Sequence, residues 1–342
     1  MKKIVKKLSD LRGISGYEYQ ICDEVKMMFA PYADEVYTDS LGNLIAHKKS
    51  NKSDAPKILI EAHYDEIGLI VTSISEEGYI KFANVGGVDN RILPSLEVTV
   101  HGKKDIYGVV GIKPGYMFEN GKNVKIDELA IDTGLASYDV KKLVNVGDAI
   151  TISQSVGQLG KNQWSGKSLD DRAGVAILLS VMEKLNKSDL PVDVYAVATV
   201  QEEVGCRGAK TMAFSINPDM AIAIDVTHGI TPDNSNDAFK VGNGIIISKG
   251  PNLHPILTER LVSICKEKNI MYDIEVASGD SGTDAWEIQV ARYGIPTALL
   301  SIPLKYMHTS VETLGVRDLI AAEKLIYEFI TNVEGDIKWL KL

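Results

Sequence analysis

Cysteine is scarce, with three residues in 342, at positions 22, 206 and 265. An odd count spread so widely excludes a disulfide framework, lacks the paired spacing of a structural zinc site, and fits a reducing compartment. Also missing is any apolar run of the roughly 20 residues that a membrane helix needs. The basic opening Met1-Lys2-Lys3-Ile4-Val5-Lys6-Lys7 superficially resembles the start of a signal peptide. Ser9, Asp10 and Arg12 interrupt it before an apolar stretch develops, so the expectation is a cytoplasmic protein that is not exported. Positive charge is in deficit, 37 Lys and Arg against 46 Asp and Glu. Beyond the N-terminus the basic residues are scattered, which excludes the concentrated cationic face that nucleic acid requires. Internal repeats and low-complexity tracts are absent as well.

What remains is 45% hydrophobic and 24% charged, an ordinary soluble globular composition with room for a large core in one or two domains. Ser15-Gly16-Tyr17-Glu18 reads as a capping box before a helix with Ile21, Val25, Met28 and Phe29 inward. A hairpin-like pair around Leu41-Gly42-Asn43 follows, then a short buried strand, Lys57-Ile58-Leu59-Ile60, that ends near His63. Over residues 69–160 the texture changes to strand-like segments (69–75, 79–83, 96–100, 106–112 and 149–153) without a helical period. The rest alternates helix and strand: a long helix from about Asp171, strands at 192–200, 220–224 and 297–302, and helices near 208–214, from Pro255 and around Leu319–Ile330. The reading is an α/β fold with a mixed, largely parallel sheet flanked by helices, interrupted by a small β-barrel-like insert. The expected divisions are 1–68 and 161–342 for the main domain and 69–160 for the insert.

Five short motifs sit where apolar strands end. They are Ala62-His63-Tyr64-Asp65-Glu66, Leu169-Asp170-Asp171-Arg172, Gln201-Glu202-Glu203-Val204-Gly205, Ala223-Ile224-Asp225-Val226 and Tyr306-Met307-His308-Thr309. Ligands of open α/β sheets bind beyond the carboxyl ends of the strands, so one crevice would receive all five. Two divalent ions that share a bridging carboxylate, each with a His and a further carboxylate, need five ligands, plus one base for the hydroxide between them. The expected assignment has Asp170 bridging, His63 and Asp225 on one ion, and Glu203 and His308 on the other. Glu202 is the general base that takes the water's proton and passes it to the leaving amine. Asp65 would orient the His63 imidazole. Zinc, cobalt and manganese all suit such donors. Singly, each motif has a plainer explanation as a cap, a helix start or a solvated acidic doublet. Asp225 is the hardest to dismiss, because a carboxylate at the end of so apolar a strand needs a partner.

Further motifs carry a family resemblance. They are Gly13-Ile14-Ser15-Gly16-Tyr17-Glu18, Leu41-Gly42-Asn43-Leu44-Ile45-Ala46, Leu169-Asp170-Asp171-Arg172-Ala173-Gly174, Glu202-Glu203-Val204-Gly205-Cys206-Arg207-Gly208-Ala209 and Gly282-Thr283-Asp284-Ala285. With the His63 and His308 motifs, in this order, nearly the whole chain resembles the cytoplasmic di-metal aminopeptidases that assemble into tetrahedral particles. That group holds glutamyl and deblocking aminopeptidases, and some relatives carry the label cellulase M. The resemblance implies a zinc-exopeptidase-like fold acting on short peptides. It places metal ligands on His63, Asp170, Glu203, Asp225 and His308, the base on Glu202 and the orienting carboxylate on Asp65. It also implies a cis peptide at Asp170–Asp171, and an insert that forms dimers which build a dodecamer around an inner chamber. Two departures bear on the substrate rather than on the metals: Lys305, where relatives often have Arg, and Pro114-Gly115-Tyr116 in place of Pro-Pro-His.

Of the remaining histidines, His228 is a candidate pocket residue with Lys305, His47 reads as solvent-facing, and His101 and His254 read as turn residues. Cys206 reads as a small packing residue. The rival readings are an N-acyl deacylase or metallo-carboxypeptidase on the same scaffold, the second needing a cationic clamp for its substrate's carboxylate. A non-catalytic assembly protein would be marked by loss of Glu202, which is present. Glycoside hydrolysis leaves the two histidines without a task.

Overall fold

The side chains of the central strands alternate between two apolar layers, and this alternation builds the core. A computed structural model describes residues 1–112, 124–333 and 337–341. Ile58, Ile60 and Ala62 of the strand Lys57–His63 pack on one side of the sheet, while Leu59 packs on the other. Asp193–Thr199, Met220–His228 and Thr297–Lys305 repeat the pattern, with Val194, Ile222 and Leu300 on the first side and Val197, Ala221 and Leu299 on the second. A period of two puts successive side chains on opposite faces, so strands covered on both faces are apolar throughout.

These four strands run parallel at the centre of an eleven-stranded sheet, in the order Asp193–Thr199, Lys57–His63, Met220–His228, Thr297–Lys305. Antiparallel strands extend it: Leu44–Lys48 and Glu35–Thr38 on one side, Glu312–Gly315, Gln163–Gly166 and Gly157–Leu159 on the other. Ile245–Lys249 and Tyr272–Val276 branch from Thr297–Lys305. The helices Lys2–Asp10, Leu169–Leu185, Pro255–Lys268 and Val316–Asn332 share the first, larger core, and Arg207–Ile216 and Ala285–Ile288 cover the second face. None is long and apolar enough to cross a membrane.

Six strands close a separate antiparallel barrel, in the order Gly68–Ile74, Ile80–Val85, Ala130–Asp132, Asp105–Gly111, Glu97–His101, Ala149–Ile152. Burial in Asp105–Gly111 alternates residue by residue, and the inward side chains form a core of their own. The barrel also carries a helix, Ser137–Leu143, that periodicity does not reveal because Val140 is its single buried residue. The mixed α/β architecture with an inserted barrel is as the sequence predicts. The predicted departure at Pro114-Gly115-Tyr116 lies outside the described residues.

Two local expectations are corrected. Ser15 and Glu18 do not cap a helix: Ser15 Oγ donates to Asp65 Oδ2 at 2.5 Å and Glu18 accepts from the Gln201 amide at 2.9 Å, so both tie the N-terminal segment to distant loops. His47 is buried rather than solvent-facing, because its ring stacks on Tyr195 with centroids 4.1 Å apart. His254 does cap the helix that begins at Pro255, accepting from the Leu257 amide.

A buried charge cluster joins the N-terminal helix to the long central one. Arg172, fully buried, donates to the Leu8 carbonyl at 2.7 Å and the Gly13 carbonyl at 3.3 Å and faces Glu66 at 3.8 Å. Lys167 binds the other Glu66 oxygen at 2.6 Å. Removing one member of such a set strands its partners away from water. Arg172→Leu should therefore cost about 3–5 kcal/mol, read as a lower urea midpoint by circular dichroism. An unchanged midpoint would show that the cluster is not a stabilising unit.

Candidate metal centre

The alternation that builds the core also delivers the polar groups. On Lys57–His63, Glu61 and His63 lie on the same side as Leu59. On the neighbouring strands Thr199, Asp225 and Ser301 occupy that same face by the same period of two. Three loops complete the gathering. Asp170 precedes the regular part of the long helix, since it and Asp171 have non-helical backbone and a cis peptide joins them. Glu202 and Glu203 follow the strand Asp193–Thr199, and His308 follows Thr297–Lys305. Ser168, Gln201, Cys206, Tyr306 and His308 all hold left-handed φ between 52° and 59°. Non-glycine residues adopt such angles at a cost, and they concentrate here in the loops around one centre.

Asp170 occupies the middle. Its Oδ1 lies 3.1 Å from His63 Nε2 and its Oδ2 lies 3.4 Å from His308 Nε2. Asp225 Oδ1 stands 4.0 Å from His63 Nε2, and Glu203 Oε2 stands 3.3 Å from His308 Nε2. Each imidazole Nε2 thus faces one Asp170 oxygen and one further carboxylate. His63, Asp170 and Glu203 each offer a donor atom, all within 4.8 Å of one another.

The supports are themselves buried. Asp65 accepts from the amides of Glu202 at 3.1 Å and Glu203 at 3.2 Å and faces His63 Nδ1 at 3.5 Å. Glu312 accepts from the amides of Leu169 at 2.7 Å, Asp170 at 3.2 Å and His308 at 3.0 Å. One carboxylate therefore fixes two of the site loops together. Sequence reasoning missed Glu312; its only signal is an acidic residue four positions past His308. It missed Glu61 too, which lies fully buried beneath the centre beside Asp284, itself bound by Thr199 Oγ1 at 2.6 Å. Asp284 belongs to the Gly282-Thr283-Asp284-Ala285 motif.

The electrostatics are those of a crowded set of acids around two imidazoles. Burial opposes the charge on Asp170, but hydrogen bonds to His308 and His63 outweigh it and hold the carboxyl below its usual range. Burial also opposes protonation of the two imidazoles. Hydrogen bonds to Asp170, with Asp65 for His63 and Glu203 for His308, override it, lifting His63 well above the usual range and His308 to about 11. Asp225 and Glu203 are pushed up, first by burial. Glu202 is pushed up to about 10 by burial against the partial relief of His63. Carboxylate oxygens and imidazole nitrogens in excess of their cationic partners suit divalent ions.

Beside this cluster lies a cavity of about 830 Å³. Glu202 lines it, with Cys206 Sγ donating to Glu202 Oε1 at 3.2 Å. His228 lines it as well. Lys305 does not; it ends its strand in register with Thr313. From the barrel, Gly87 borders the cavity and its carbonyl accepts from His308 Nδ1 at 3.1 Å. A Cβ at Gly87 would come within 2.7 Å of that ring nitrogen, so the close approach requires glycine.

Comparison with known proteins places the chain. The family model of the M42 glutamyl aminopeptidases matches residues 42–325. A lysyl aminopeptidase of Pyrococcus furiosus is 33% identical over 94% of this chain and 94% of its own length. Among solved structures, the aminopeptidase APDkam598 of the archaeon Desulfurococcus kamchatkensis has a TM-score of 0.92 at 36% identity, covering 99% of this chain and 96% of that one. The Pyrococcus horikoshii TET1 peptidase, which can assemble into a tetrahedron or a large octahedral shell, has a TM-score of 0.85 at 32% identity, covering 97% and 99%. The chain belongs to the M42 family and is an aminopeptidase.

The carboxylates around the two imidazoles favour their protonated forms, so a divalent ion that binds there would have to displace protons. Calorimetric titration of chelated protein with zinc or cobalt should give heats that vary with the buffer's ionisation enthalpy, and an affinity that falls as the pH is lowered. Proton-neutral binding would contradict this arrangement.

Proposed function

We propose that this M42 aminopeptidase removes N-terminal residues from short peptides at a centre for two divalent ions shared across Asp170. The observation that supports it most is the placement of the Asp170 oxygens, 3.1 Å and 3.4 Å from two different imidazoles. His63, Asp170 and Asp225 would hold one ion, and Asp170, Glu203 and His308 the other, with zinc, cobalt or manganese each fitting the donors. When bound, the ions supply a water of lowered pKa and polarise the carbonyl of the first peptide bond.

The chain's own groups do the rest. Glu202 lies outside both ligand sets and lines the cavity. As general base it takes the proton of the attacking water and returns it to the leaving amine, and neighbouring cations would bring its carboxyl down from about 10 into the range where this exchange works. Asp65, clamped by Ser15 Oγ and two amides, holds the His63 ring from its Nδ1 side. The substrate's free ammonium is attracted to the carboxylate wall.

A free α-carboxylate finds no such welcome. Among the described residues no Lys or Arg lines the cavity. Arg172 is fully buried among main-chain carbonyls, and Arg207 donates to the Val204 carbonyl. This favours an aminopeptidase over a carboxypeptidase.

For organisation, residues 1–68 and 161–342 form the catalytic part, and 69–160 the dimerisation insert. Dimers build a tetrahedral dodecamer in the manner of the TET1 peptidase. A cytoplasmic location accords with three unpaired cysteines. Glutamyl and lysyl names both occur among the matches, so the preferred residue is a property of each chain's own cavity.

Aminoacyl p-nitroanilides with a free amine should be cleaved, the activity lost on chelation and restored by zinc, cobalt or manganese. Glu202→Gln should lower kcat by about 10²–10⁴ with metal binding retained by calorimetry. Equal cleavage of N-acetylated substrates would move the assignment to a deacylase. Native mass spectrometry should give twelve subunits.

A further inference from the structure

Glu275 is a cavity carboxylate that the reaction leaves without a task. It sits near the end of the strand Tyr272–Val276 and lines the cavity. Thr227 Oγ1 donates to its Oε1 at 2.7 Å, and the fully buried Ser248 Oγ donates to its Oε2 at 2.9 Å. Both oxygens are therefore held, each by a neutral donor that leaves the negative charge in place. Among the described residues no cation pairs with it. Glu287, which also lines the cavity, is by contrast neutralised by Lys210 at 2.9 Å. Asp280 adds a second carboxylate at the exposed rim, engaged among the described residues only by the Gly282 amide. Among the described residues the only basic side chains on the lining are His228 and His308.

The spacing gives this charge a use. Thr227 stands two residues beyond Asp225 on one strand, on the same face, a separation of about 7 Å. A carboxylate bound to Thr227 therefore lies roughly one lysine side chain from a group at Asp225, since a four-carbon stem carries its ammonium about 6 Å from the backbone. A peptide whose α-amine is held at the Asp225 side of the centre can direct its first side chain along the strand toward Glu275.

We propose that Glu275 selects a basic N-terminal residue, lysine or arginine, and disfavours an acidic one. The inference rests on the aminopeptidase reading above. The carboxylate is fixed before substrate arrives, so little ordering opposes the ion pair. An acidic side chain entering there would meet like charge from Glu275 and Asp280, with no Lys or Arg among the described lining residues to offset it.

The test compares kcat/KM of the metal-loaded full-length enzyme for Lys-, Arg-, Leu- and Glu-p-nitroanilide. Lys and Arg should exceed Leu by about tenfold or more, with Glu the poorest. Glu275→Gln should bring the Lys-to-Leu ratio toward one, and Glu275→Lys should turn the order so that Glu exceeds Lys. Ratios are read on one preparation, so a partly folded variant does not distort them, and the wild-type ranking is a test by itself. A wild type that favours Leu or Glu overturns the proposal, as does a Glu275→Gln variant that keeps its Lys-to-Leu ratio. Failure of the underlying reading looks different, because then either no free-amine substrate is cleaved or the N-acetylated versions are cleaved equally well.

Discussion

Asp170 holds its two oxygens against imidazoles that arrive from opposite ends of the chain, and much of the surrounding architecture serves to keep it there. Its amide and those of Leu169 and His308 converge on Glu312. The segments bearing the bridging candidate and one imidazole cannot shift apart without breaking that carboxylate's bonds. Asp65 does the same for the other half, tying Glu202 and Glu203 to the His63 strand and, through Ser15, to the N-terminal segment. Each clamp is a buried acid accepting several donors at once, which positions loops more firmly than a single contact would.

The same economy of charge runs through the whole main domain. Glu66 is satisfied by Lys167 and Arg172, a closed set that stabilises the fold. The centre instead gathers more acids than cations, and burial pushes Glu203, Glu202 and Asp225 toward their protonated forms. Buried acids with full partners are structural here, and those lacking them are grouped where a cation would sit.

Much of this was legible in the sequence, for a physical reason. Parallel strands covered on both faces read as unbroken apolar runs, so a His or Asp at the end of one stands out, as His63 and Asp225 do. Residues that act through the main chain were not legible. Glu312 looks like any surface glutamate until its three amide partners are known. Glu61 is hidden within a strand whose burial on both faces could not be inferred from one acidic letter. The supposed capping box failed because Ser15 and Glu18 have the right spacing for a local partner but find distant ones, Asp65 and Gln201. Lys305 was picked out as a departure from the Arg often found in relatives, and it is not among the residues that line the cavity.

The contact between Gly87 and His308 bears on modularity. A carbonyl can only accept, so His308 Nδ1 keeps a proton and Nε2 is the nitrogen turned toward Asp170 and Glu203. The residue that sets this orientation comes from the barrel side of the chain rather than from the sheet that carries the other site residues. Excising the barrel to obtain a smaller enzyme would remove the acceptor that holds the proton on His308 Nδ1. The insert is thus a component of the chemistry, and a shortened chain that folded perfectly would still lack one of its fixed points.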